Sequence, residues 1–182
     1  MTELSDFRVQ KDAFFKSHPH SPLTSEQQET FAGLRYFPEN PELRLVLPIE
    51  RFAEQDTIVM QTSTGDERVY TRYGRLHFTV DGQDAALTLY ADEHSGAFFL
   101  PFADALRGRE TYGAGRYLDP EPLGDGRFLV DFNLAYNPYC AYNDDWSCPL
   151  TPVENWLRAP IRAGERLFDD AKLEVMKPIA SV

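Results

Sequence analysis

The run Asp131-Phe132-Asn133-Leu134-Ala135-Tyr136-Asn137-Pro138-Tyr139-Cys140-Ala141-Tyr142-Asn143, closing at Glu154-Asn155, holds the chain's densest set of groups that could do chemistry. Rings supply contact area while amide and hydroxyl tips fix orientation, which is the mixture that lines small-ligand pockets. A loop turned at Asn137-Pro138 can also use those amides on its own backbone, so a structural reading stands beside the binding one. Alternation places Phe128, Val130 and Phe132 on one side of a strand, with Leu129, Asp131 and Asn133 on the other. That second side faces either solvent or a cavity. A pocket built from it takes Arg116, Tyr117, Asp119, Asp131, Asn133, Tyr136, Asn137, Cys140 and Asn155 as its ligand-binding residues.

Three residues are candidates for catalysis. Asp131 and Glu154 could serve as general bases, and Cys140 could be a nucleophile if a base and a positive setting lowered its pKa. A cysteine among Tyr and Ala is more often a small buried apolar group. His18 and His20 could supply two metal ligands, with Asp131 or Glu154 completing a mixed nitrogen and oxygen site, although two loop histidines are commonly plain surface. Cys140 and Cys148 do not have zinc-ligand spacing and are the only cysteines present, so both are read as thiols. Tyr112-Gly113-Ala114-Gly115-Arg116 lacks the third glycine of a dinucleotide fingerprint and reads as a glycine-bent strand or bulge. Arg116 is either an anion-recognising group or half of a structural ion pair with Asp119 or Asp131. No residue pattern names a cofactor.

The elements that position these groups follow from periodicity. Leu4, Phe7, Lys11 and Phe14 fall at helical intervals up to Ser17-His18-Pro19, and a second helix over 25–32 has capping-box spacing at Thr24/Gln27 or Ser25/Gln28, with Gly33 as its stop. From Leu43 the period becomes two. Strands are expected at Leu43–Leu47, Ile58–Met60, Leu76–Val80 and Ala86–Tyr90, the last two joined by the tight turn Asp81-Gly82. Shorter apolar runs at Phe98–Leu100, Phe128–Phe132 and Leu157–Ile161 lie between turn signals. The expected fold is mainly β, an antiparallel β-sandwich or partly closed barrel with one or two short N-terminal helices. Its 182 residues are read as one domain: a helical cap over 1–33, an antiparallel body over 34–176 and a tail over 177–182.

A net charge of −11 repels phosphate backbones and anionic lipid, so a small molecule, not nucleic acid or membrane, is the expected partner. No apolar stretch approaches a membrane span, and Met1-Thr2-Glu3-Leu4-Ser5-Asp6 has no secretory-signal pattern, which predicts a cytoplasmic protein. Oligomeric state is left open.

The segments Ser21-Pro22-Leu23, Phe31 to Phe37, Leu100 to Asp104, Thr111 to Asp119 and Asp131 to Asn155 resemble the domain-of-unknown-function 1684 family. The resemblance runs from about Phe7 to Glu165. It departs from the family pattern at Ala114, where a third glycine is expected, at Tyr139, where a second proline is common, and at Thr151. It implies no activity, ligand or residue role, and no compartment, since some relatives are exported. Three functional readings therefore remain: a small-molecule-binding β domain, an acid/base or metal-assisted hydrolase-like enzyme using the same pocket, and a non-catalytic structural or protein-interaction module.

Overall fold

The computed structural model describes residues 2–168. Helix α1 (Glu3–Ser17) begins where the Thr2 hydroxyl accepts from the Ser5 N–H at 3.2 Å, with Glu3 and Asp6 in the first turn and Lys16 in the last. These charges oppose the helix dipole at each end. It stops at His18, whose extended ψ of 139° is what the following proline demands. Helix α2 (Ser25–Thr30) is opened by the Thr24/Gln27 capping box. It ends before the expected Gly33: Phe31 is already extended, and the left-handed Gly33 lies two residues further on. That glycine serves a close approach of Asp12, not a helix stop.

Eight strands form one antiparallel sheet: β1 (Arg44–Arg51), β2 (Thr57–Gln61), β3 (Glu67–Val80), β4 (Gln83–Asp92), β5 (Phe98–Phe102), β6 (Arg116–Leu118), β7 (Glu121–Pro122) and β8 (Arg127–Asp131). The order is β6-β5-β4-β3-β1-β8-β7, with β2 also paired to β3. Asp81 and Gly82 both have positive φ, 50° and 70°, so the β3–β4 hairpin turns in two residues with the hand that suits twisted strands. β3 runs to 14 residues, nearly three times the expected Leu76–Val80, because its first half opens with three exposed residues, shows no alternation of burial and carries mostly polar residues. It serves β2 with that half and β1 with the other. Between them the register with β4 slips at Arg72/Gly74. A Cβ at Gly74 would lie 2.6 Å from the Glu50 carbonyl, so the bulge takes a glycine.

This curl makes the sheet a half-barrel. Its hollow side holds Leu76, Phe78, Leu87, Leu89, Leu100, Phe102, Leu118, Phe128, Val130 and Phe132, packed as the alternation of β8 requires. The backbone of Tyr136 exchanges hydrogen bonds of 2.8 and 3.0 Å with Tyr117, so the chain after β8 returns beside β6. The apolar run Leu157–Ile161 is not a strand. It lies beside Ala103–Ala105, bonded through Leu157 N–H to Ala103 and Ala105 N–H to Ala159, and drops Ile161 and Ala163 into the core. Pro160 removes one of the donors a longer ladder would need. The expected tail over 177–182, and the end of the expected body, lie outside the described residues.

The segment Tyr112–Arg116 is a tight turn feeding β6, its Gly115 N–H bonded to Tyr112 O at 3.0 Å. Gly115 has φ +101°, and a Cβ there would meet the Phe102 carbonyl at 2.6 Å and Thr151 Oγ1 at 2.5 Å. Gly115→Ala combines a left-handed penalty with a backbone clash. It is expected to lower the unfolding free energy by roughly 2–3 kcal/mol, measured by urea denaturation, whereas Gly82→Ala, in open space, loses about 1 kcal/mol.

Candidate functional site

A cleft of about 870 Å³ lies between α1 and the open side of the half-barrel. α1 contributes Phe7, Gln10, Lys11, Phe14 and Phe15; the β6–β7 corner contributes Leu118, Asp119, Pro120 and Glu121; β8 and its exit contribute Leu129, Asp131, Leu134 and Tyr136. Tyr139, Trp146, Cys148 and Arg68 close the far end. Aromatic and aliphatic walls with a few polar groups are what an organic ligand of moderate size requires. Leu129 and Asp131, on the outer face of β8, thus meet a cavity instead of bulk water.

Of the residues singled out from sequence, the structure brings Asp119, Asp131 and Tyr136 to this cleft. They differ in how far they are committed elsewhere. Asp131 caps the short 3₁₀ turn Phe132–Leu134: Oδ1 accepts from the backbone N–H and side-chain amide of Asn133 at 3.0 and 2.9 Å, and Oδ2 lies 3.4 Å from Arg44 Nε. Asp119 accepts from the Tyr136 hydroxyl at 3.0 and 3.2 Å. Lys11 also lies over the Tyr136 ring, 5.1 Å from its centroid, but its ammonium is 2.5 Å from Glu165 Oε1. Burial against the cleft wall raises the Asp119 carboxyl above its ordinary value, against the lowering effects of Tyr136 and Lys11.

The remaining residues sit elsewhere, each with a structural task. Arg116 is buried and donates to the carbonyls of Ala163, Glu165 and Ile161, so its charge is spent on backbone and on Asp104, 3.8 Å away, not on Asp119 or Asp131. Burial, only partly opposed by Asp104 and Glu165, brings its pKa down to about 10. Tyr117 is buried edge-on to Phe99 and Tyr136, and its hydroxyl donates to the Pro149 carbonyl. Asn133 exchanges two bonds with the backbone of Asn40; Asn137 donates to Arg166 O; Asn155 bonds both backbone groups of Thr88 and the carbonyl of Pro101. Each side-chain amide replaces a strand partner that irregular chain lacks.

Glu154 lies apart from the cleft, gripped at both oxygens by Arg72 (3.1 and 2.6 Å) and bonded by Tyr90 and Thr88. Burial pushes its carboxyl up, but the hydrogen bonds from Arg72, Tyr90 and Thr88 outweigh it and hold the group below its usual range. Cys140 is buried behind the cleft wall. Asp131, Glu154 and Cys140 therefore occupy three separate environments and cannot share one reacting centre. His18 and His20 are exposed after α1, with the His18 ring stacked on Phe14 at 4.4 Å and its Nδ1 accepting from His20 N–H. Among the described residues no three His, Cys, Asp or Glu side chains are grouped to hold a metal.

Sequence reasoning missed the α1 contribution, Arg68, Trp146 and Cys148. The helical stripe Phe7/Lys11/Phe14 was visible, but its partner surface was not. Because ionised Asp119 is disfavoured in the folded state, it opposes folding once pH exceeds its raised pKa and not below its ordinary one. Asp119→Asn is expected to raise Tm at pH 7 by roughly 2 °C, and to leave it unchanged near pH 3, in thermal melts of both proteins.

Residues 29–166 match the model of a family described as protein of unknown function. An uncharacterised protein of Haloarcula marismortui, determined by solution NMR, is 37% identical with a TM-score of 0.68, the match covering 90% of this chain and 92% of that one. No curated protein matches the chain. Among the described residues no helix is long and apolar enough to cross a membrane. By its match over three-quarters of its length, from Glu29 to Arg166, this chain belongs to the domain-of-unknown-function 1684 family.

Proposed function

We propose that the protein binds a small amphipathic molecule in the cleft beneath α1, with an apolar body the size of one or two rings and a protonated amine at Asp119. The observation that carries this reading is the Asp119–Tyr136 pair at the wall of a cleft of about 870 Å³. Asp131 is occupied by a cap and Lys11 by Glu165, whereas Asp119 keeps acceptor capacity beyond the single hydroxyl it receives. Asp119, Glu121 and Asp131 give the cleft an acidic edge, matching the chain's net charge of −11 and favouring a cationic head over a carboxylate. Phe7, Phe14, Leu129 and Leu134 offer the apolar body its contact area.

The reading favours binding over catalysis because the acids and thiol a hydrolase would combine are dispersed. It favours a small molecule over nucleic acid or an anionic membrane surface on charge alone.

Titration calorimetry at pH 7 with tryptamine and with indole-3-propionate, a matched amine and acid, tests the proposal. The amine is expected to bind at micromolar to millimolar Kd, the acid at least about tenfold more weakly, and Asp119→Asn to remove most of that preference. Equal binding of the two, or binding of neither, overturns it. Leu134→Gln, which removes apolar contact on the exposed wall without adding charge, is expected to weaken the amine without lowering the melting temperature.

A further inference from the structure

Cys148 lies at the end of the cleft and Cys140 directly behind it. Both are free thiols. The Cys140 backbone N–H donates to Cys148 Sγ at 3.3 Å. Cys148 is held rigidly: its N–H bonds Ser63 Oγ at 3.1 Å, its carbonyl accepts from Ser63 N–H at 2.8 Å, and Leu150 N–H bonds Gln61 O. Cys140 sits in the 3₁₀ turn Tyr139–Ala141, with the Tyr112 hydroxyl 3.9 Å from its sulfur. Arg68 faces the same end of the cleft and reaches the Ser147 carbonyl at 3.4 Å.

The two sulfurs are thus unequal. Both are buried, at 5% and 7% exposure, but Cys148 accepts the Cys140 N–H and lines the cleft beside Arg68, whereas Cys140 does not line it. The neighbouring Cys140 thiol, against the raising effect of burial and with help from the Cys140 and Tyr139 N–H groups and Arg68, lowers the Cys148 thiol below its ordinary value. The neighbouring Cys148 thiol, with burial adding, pushes the Cys140 thiol up.

We propose that Cys148 and Cys140 form a redox-active dithiol at the end of the cleft, oxidised to a disulfide by small organic hydroperoxides. The Cys148 thiolate attacks the hydroperoxide, the O–O bond breaks, the alkoxide leaves with a proton as an alcohol, and Cys148 becomes a sulfenic acid. Cys140 sulfur then attacks Cys148 sulfur. The S–O bond breaks, hydroxide leaves with the Cys140 proton as water, and an S–S bond forms. Two electrons pass from the two sulfurs to the peroxide. The apolar cleft walls admit a compact organic reagent to Cys148 and none to Cys140. This chemistry shares the cleft with the proposed ligand but needs neither Asp119 nor an amine.

The test uses the intact reduced protein at pH 7 without added ligand. With limiting iodoacetamide, peptide mass spectrometry is expected to show Cys148 alkylated at least about tenfold ahead of Cys140. One equivalent of cumene hydroperoxide is expected to remove about 2 Da and yield a Cys140–Cys148 linked peptide, while Cys140→Ser leaves a dimedone-trapped sulfenic acid at Cys148. Asp119→Asn is expected to leave these rates unchanged, which separates this site from the amine site. Equal labelling of the two cysteines, labelling only in urea, or oxidation solely to intermolecular disulfide overturns the proposal, and the labelling arm requires no variant to fold.

Discussion

A guanidinium that meets almost no water holds this molecule together. Arg116, 1% exposed at the start of β6, donates to the carbonyls of Ile161, Ala163 and Glu165 and leans on the rings of Phe102 and Phe37. A buried charge needs hydrogen-bond partners and an opposite charge nearby; both terminal nitrogens of Arg116 are bonded, its Nε has no partner, and Asp104 supplies the charge while also binding Ile161 N–H at 2.7 Å. The closing segment 161–165 is therefore fixed to the sheet by side chains, where no strand ladder exists to do so. Gly164 allows it to pass the Phe132 and Ala135 carbonyls, 2.7 and 2.5 Å from where a Cβ would stand.

From that segment the constraint passes to the rest of the cleft. Glu165, equally buried, accepts from Asn137 N–H and the Tyr142 hydroxyl and pairs with Lys11 of α1. α1 is tied to the half-barrel at this ion pair and at Phe15, which packs edge-on to Tyr142 at 5.0 Å. Between those tethers and the β6–β7 corner the helix stands off the sheet, and the cleft is the space left. Charge that stabilises the scaffold and charge that faces the cleft are thus separated: Arg116 and Asp104 are consumed by backbone and by each other, Glu165 by Asn137 N–H, Tyr142 and Lys11, while Asp119 keeps free acceptor sites.

The same separation explains why a segment dense in asparagine and tyrosine contributes so little to the cleft surface. Residues 132–143 are irregular and mostly buried, so every backbone group that a strand would have paired needs another partner. Asn133 and Asn137 supply such partners, and Asn155 does the same for the edge of β4. The two sulfurs of this region divide in a comparable way, one toward the cleft and one into the packing.

Local rules made much of the fold legible. The Thr24/Gln27 box, the Asp81-Gly82 turn and the alternation of Phe128, Val130 and Phe132 are short-range signals, each set by residues within a few positions, and so is the outward placement of Asp131 on β8. Asp119 and Tyr136 could be picked by type but not told apart from Asn133 or Asn137, because a polar group's task depends on which distant backbone it meets. The first half of β3 was hidden because its exposed residues carry no apolar period. Sequence could not rank the two sulfurs: which one lines the cleft is decided by how the segment around Cys148 pairs with Ser63, a contact between residues 85 positions apart. What residues prefer was written in sequence; what they are left free to do was decided only when tertiary contacts claimed their neighbours' hydrogen bonds.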